Sequence, residues 1–143
     1  MVQKLNNSEL TLLLRFTPHL IGGSYVVNPD AANDIDVLIH EYLHTGELQT
    51  HLLSKGFHTM RSDDERYDTI DNARLMAVYE GKIGDDKCNI LVVGATFWPA
   101  YQGAIAAMRN DPELYTTRDE RIELHRSLAR QVADIAQVEL PEG

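Results

Sequence analysis

The chain has 143 residues, 43% hydrophobic and 24% charged, with 13 Lys and Arg against 22 Asp and Glu and a net charge of −9 at pH 7. That length predicts one globular domain with a core of its own. The acidic balance excludes a protein that coats nucleic acid through a basic face, although a local arginine cluster can still hold a nucleotide or a nucleic-acid end. The single Cys88 excludes an internal disulfide and a cysteine-rich zinc site. No apolar run approaches the roughly 18 residues of a membrane span, and Met1 to Ser8 is polar rather than signal-like. The expectation is a soluble cytoplasmic protein with no membrane partner.

In chain order, Asn6 to Phe16 reads as a helix, capped by Asn7 or Ser8 and stopped by Thr17-Pro18. A short apolar run enters the turn Gly22-Gly23-Ser24, and Asn28-Pro29-Asp30 is a second turn. Ile35 to Ile39 is β-branched and predicts a central strand. If Asp34-Ile35-Asp36 lies on that strand, period 2 sends both carboxylates to one face. Two such carboxylates repel, and a hard divalent cation with oxygen ligands, such as Mg²⁺, relieves the repulsion. The glycines before them suit a close backbone turn offering N–H groups to a phosphate.

Gly46 to Ser54 predicts a helix with Leu48, Leu52 and Leu53 inward, and Phe57 to Met60 a strand. Ser62 to Asp71 reads as a charged loop. Ala73 to Tyr79 and Asn89 to Val93 form an expected hairpin with Gly84-Asp85-Asp86 at its tip. Phe97 to Arg109 predicts a helix with Pro99 in its first turn. Thr117 to Val138 predicts the longest helix, opened by the capping box Thr117-Arg118-Asp119-Glu120, with Ile122, Leu124, Leu128, Val132, Ile135 and Ala136 as its apolar stripe. Arg118 and Arg121 share a face, with His125 four residues on, forming a cationic patch suited to a triphosphate. The competing expectation pairs these arginines with Asp119, Glu120 or Glu123 on a solvated helix. Phe97, Trp98 and Tyr101 are expected in packing roles. The fold class predicted is α+β, a small mixed sheet with helices packed on it.

The order of a GGS turn, about ten residues, and then Asp34-Ile35-Asp36 between hydrophobic residues resembles the nucleotidyltransferase superfamily. That superfamily includes the DNA polymerase β-like enzymes, poly(A) polymerases and CCA-adding enzymes. The chain is most similar to small nucleotidyltransferases of tailed bacteriophages. The shared segments are Asp34-Ile35-Asp36, Asn89-Ile90-Leu91-Val92-Val93 and Thr117 to Ile122, spread over Leu20 to Leu128. The resemblance implies a minimal nucleotidyltransferase domain over residues 1–143, acting in a host cytoplasm. It implies Mg²⁺, in a two-metal arrangement, on Asp34 and Asp36. It places Gly22, Gly23, Ser24, Arg118 and Arg121 on the phosphates of an NTP. The acceptor it implies is open between RNA, protein and a small molecule. Asn89 stands where the third catalytic acid of the family falls; an amide oxygen can coordinate, but it brings no charge. A non-catalytic relative that binds a nucleotide or a host protein is therefore a second expectation. A third is a zinc metalloprotease, because His40-Glu41-Tyr42-Leu43-His44 is an HExxH. On a helix, His40 and His44 would share a face and hold Zn²⁺, with Glu41 as general base.

Overall fold

The computed structural model describes residues 19–22, 34–60 and 69–141. The expected helix Asn6 to Phe16, Gly23 and Ser24 of the glycine turn, the Asn28-Pro29-Asp30 turn and most of the Ser62 to Asp71 loop lie outside these residues. Within them the chain forms a mixed α+β structure. Strands β1 (His19–Gly22), β2 (Asp34–His40), β3 (His58–Thr59), β4 (Leu75–Ile83) and β5 (Asp86–Val93) make one sheet in the order β1-β2-β5-β4-β3. Its helices are α1 (Gly46–Ser54), the short α2 (Ile70–Ala73), α3 (Trp98–Asn110) and α4 (Arg118–Ala136). No described helix is long and apolar enough to cross a membrane.

β2 runs antiparallel to β1 and parallel to β5, and β5 forms a hairpin with β4. The hairpin is longer than the sequence predicts. It turns at Gly84-Asp85, with Ile83 opposite Asp86 and Gly84 at φ 62°, a backbone position that glycine takes without steric penalty. Ala73 does not start β4. It closes α2, whose N-cap is the Thr69 hydroxyl accepting from Asn72 N.

Two apolar layers sandwich the sheet. On one face Ile35, Val37 and Ile39 of β2, Cys88, Ile90 and Val92 of β5, and Tyr79 and Ile83 of β4 pack under Leu48 and Leu52 of α1. Leu53 does not join them and is 50% exposed. Leu48 and Leu52 are four apart on one helix face, and one further residue rotates about 100° away from it. The other face is covered by α3 and α4. Here Leu38, Leu75 and Val93 meet Phe97, Tyr101, Ile105, Met108, Ala129 and Ala133. The stripe of α4 is centred on those two alanines, and Ile135, expected inward, is 85% exposed. Small residues let α4 approach α3 closely, so the larger Ile122, Leu124 and Val132 flank the contact rather than fill it. α4 opens with the expected capping box of Thr117 and Glu120 and ends at Gln137 in the left-handed conformation.

The strand expected over Phe57 to Met60 shrinks to two residues, because Phe57 leaves the ladder to lie on Gly81. A Cβ at position 81 would sit 2.6 Å from the Phe57 ring. Gly81→Ala is therefore expected to lower the urea midpoint by about 1–3 kcal/mol of stability through overpacking. An unchanged midpoint would show that the ring can move aside without loss.

Candidate functional site

Asp34, Asp36 and Leu38 occupy alternate positions of β2 and share the sheet face covered by α3 and α4. Leu38 is buried against the helices, whereas Asp34 and Asp36 precede it at the end of the strand and line an open cleft. The cleft has a volume of about 600 Å³. Gly22 of β1 forms part of its wall, and a Cβ there would meet the Leu38 side chain at 2.9 Å. Asn89 of β5 lies directly opposite Asp36 in the parallel ladder. Its Nδ2 donates to Asp34 Oδ2 at 3.3 Å and to Asp36 Oδ1 at 3.2 Å. One amide thus bridges both acids.

The bridge does not neutralise them. Burial raises the Asp36 carboxyl pKa, and the charge of Asp34 raises it further. The Asn89 hydrogen bond and the charges of Lys87 and Arg121 pull the other way without cancelling the rise. Both acids offer hard oxygen donors on one face, and a divalent cation would relieve the repulsion that raises Asp36. The donor set therefore fits Mg²⁺. Among the described residues no three His, Cys, Asp or Glu side chains gather as one metal-ligand group; the Asn89 amide stands beside both acids.

The opposite wall comes from the start of α4, where Arg118, Arg121, Ile122 and His125 line the same cleft. Arg121 does not pair with the neighbouring acids. Its Nη1 donates to the Tyr115 and Thr116 carbonyls, each at 3.0 Å, which fixes the guanidinium beside the helix N-terminus. Glu120 is held by Thr117, and Glu123 pairs with Arg130. Arg118 is exposed and has no ion-pair partner among the described residues. His125, expected to add a third positive charge, does not. Burial, reinforced by the charge of Arg74 and opposed by Asp71, pushes its imidazole down to about 4, so it is neutral at pH 7.

The inner wall holds residues that the sequence reading passed over. Arg74, directly after α2, is only 4% exposed. Its Nε donates to the Ile70 carbonyl at 3.1 Å and its Nη2 to Asp71 Oδ1 at 2.5 Å. Asp71 also receives Nε and Nη2 of Arg126 from α4 at 3.2 and 2.7 Å. Burial opposes ionisation of Asp71, but the bond from Arg126 and the charge of Arg74 hold its pKa below the usual value. The Arg74 guanidinium carbon lies 5.1 Å from the Tyr101 ring centre, and the His125 ring lies tilted against Tyr101 with centres 5.0 Å apart. Tyr101, expected only in packing, is both core and cleft wall. The signal for Arg74 in the sequence was slight: an arginine between a polar tract and an apolar strand.

The HExxH segment lies away from this cleft and is not an α-helix. His40 ends β2, Glu41–Leu43 is a 3₁₀ turn, and His44 follows it. The shared helical face on which the zinc expectation relied is therefore not formed. His40 Nδ1 accepts from Tyr42 N, Glu41 Oε1 accepts from Ala95 N at 2.6 Å, and His44 Nε2 shares a 2.6 Å hydrogen bond with the Tyr79 hydroxyl. These side chains hold the 3₁₀ turn against Ala95 and Tyr79.

Comparison with family models, curated proteins and solved structures finds no match for this chain.

A group whose folded-state pKa is raised contributes stability that is full below its ordinary value, here 3.8, and lost as pH rises through the folded-state value. Ionised Asp36 therefore costs stability at neutral pH. Asp36→Asn is expected to raise the urea midpoint at pH 7, with the gain shrinking as acid protonates the wild-type carboxyl. A gain of equal size at pH 7 and below the ordinary carboxyl value would mean that ionisation is not its cause.

Proposed function

We propose that this protein is a Mg²⁺-dependent nucleotidyltransferase that moves a nucleoside monophosphate from an NTP to an acceptor hydroxyl, with pyrophosphate leaving. One observation carries this reading: Asp34 and Asp36 share a strand face across a single cleft from Arg118 and Arg121. An acidic wall facing a basic wall suits a triphosphate, whose charged oxygens need cations on both sides. Asp34 and Asp36 would hold Mg²⁺, which when bound supplies charge neutralisation at the transferring phosphoryl group. Arg121, fixed through Nη1, keeps its other guanidinium nitrogens for phosphate oxygens, and exposed Arg118 reaches the same cleft.

The test is calorimetric titration of the metal-free protein with Mg²⁺ and each NTP. Mg²⁺-dependent binding is expected, and it is expected to vanish in the double variant Asp34→Ala plus Asp36→Ala. Binding that survives in the double variant would remove the reading.

A second reading, a nucleotide- or protein-binding relative that performs no transfer, has one feature in its favour. Asn89 already bridges both carboxylates by hydrogen bonding. Asn89→Asp separates the two readings. It would set three carboxylates together, so the metal-free variant is expected to melt lower than wild type. For the transferase, Mg²⁺ then restores the loss and pyrophosphate release from NTP rises. A variant that Mg²⁺ does not rescue would favour the binding protein.

A further inference from the structure

Arg74 is the one buried cation among the described residues, and its hydrogen bonding is incomplete. Two of its three guanidinium nitrogens are engaged, Nε by the Ile70 carbonyl and Nη2 by Asp71. Its Nη1 is buried without a hydrogen-bond partner, and so is His125 Nδ1. Both residues line the cleft, and both rings or planes pack on Tyr101 between them. Buried guanidinium N–H groups are almost always paired, because water has been removed and nothing else replaces it. Among the described residues three buried nitrogens lack a partner, and two of them, Arg74 Nη1 and His125 Nδ1, belong to side chains that line this one cleft, whereas His51 Nε2 lies apart from it.

Charge points the same way. Asp71 is shared between Arg74 and Arg126, so one carboxylate answers two guanidiniums and the trio keeps a net positive charge. His125 is neutral at pH 7, and it neither repels Arg74 nor balances it. A neutral imidazole can donate from the ring nitrogen that faces an oxyanion. Although the protein carries a net charge of −9, the cleft lining combines Asp34, Asp36 and Asp71 with Arg74, Arg118 and Arg121. An anion entering it meets no net repulsion from these side chains.

We infer that Arg74, with His125 beside it and Tyr101 as its platform, anchors an oxyanion of a ligand in the cleft, either a phosphate or a carboxylate. The position lies on the inner wall, apart from the exposed Arg118 and from Arg121 at the mouth of α4. Asp71, itself held by Arg126, and the Ile70 carbonyl hold the guanidinium in place before the ligand arrives, which lowers the ordering cost of binding. The inference is independent of nucleotidyl transfer, because it needs neither a nucleoside nor a divalent ion.

The experiment uses the full chain, labelled with ¹⁵N, in EDTA and at constant ionic strength. Inorganic phosphate, pyrophosphate and succinate are titrated separately while the Arg74 Nε–Hε and His125 ring resonances are followed. Saturable shifts of both are expected, with Arg74→Lys weakening the same anion about tenfold, the loss expected for one charge-assisted hydrogen bond. Lysine keeps the charge but not the guanidinium fork. A response to phosphate or pyrophosphate alone identifies a phosphate ligand, and a response to succinate identifies a carboxylate. If Arg74→Lys does not fold, the wild-type shifts decide. No shift at tens of millimolar anion, or shifts confined to Arg118 and Arg121, would overturn the inference. So would a folded Arg74→Lys that binds as tightly as wild type.

Discussion

The register of β2 against β5 is the constraint on which the rest depends. Parallel pairing sets Asp36 opposite Asn89 and Ile35 opposite Cys88. The buried face of β2 is Ile35, Val37 and Ile39, each essentially inaccessible. A slip by one residue would turn those side chains out and drive Asp34 and Asp36 into the apolar layer under α1. Burial of the isoleucines therefore fixes where the carboxylates stand, and the core that stabilises the sheet also builds the candidate site. Asn89 follows from the same pairing, since alternation on β5 sends Cys88, Ile90 and Val92 inward and Asn89 towards the acids.

Position along the strand matters as much as face. Leu38 lies on the same side as Asp34 and Asp36, yet it is buried because α3 and α4 cover it. Those helices do not reach over the first residues of β2. The uncovered end becomes a cleft closed at its sides by Gly22 and by the first turns of α4. The capping box at Thr117 and Glu120 sets where α4 begins, and so how far Arg118 and Arg121 stand from the acids. A helix start chosen by local hydrogen bonding thereby places the basic wall.

Both walls hold polar groups at a cost. Asp36 is half-buried beside a like charge, and Arg74 is buried with one nitrogen unpartnered. Elsewhere among the described residues Thr45, Thr69 and Thr117 cap their helices and Glu41 takes the Ala95 N–H, while His51 Nε2, away from the cleft, is also buried without a partner. Proteins keep such unrelieved positions mainly where a ligand relieves them. Here both occur in one cleft, on opposing sides.

The fold class, the strand at Ile35 to Ile39, the bounds of α1 and the capped start of α4 were all legible in the sequence. Each rests on a local rule, of period, of propensity or of capping, that acts over a few residues. Local rules failed where packing against another element decided the outcome. Leu53 and Ile135 are hydrophobic and helical but face solvent, because the partner surface lies a fraction of a turn away. His125 looked cationic and is neutral, since only the folded chain buries it beside Arg74. His40 and His44 match a zinc-binding spacing, but the chain passes from strand to 3₁₀ turn between them. The sequence alone determined that two carboxylates would share a face. Tertiary structure alone decided what they would face, bringing Arg74 from beyond a polar tract and Arg118 and Arg121 from the last helix to the same cleft. Period and propensity are properties of neighbours along the chain, whereas the field at a site is set by neighbours in space.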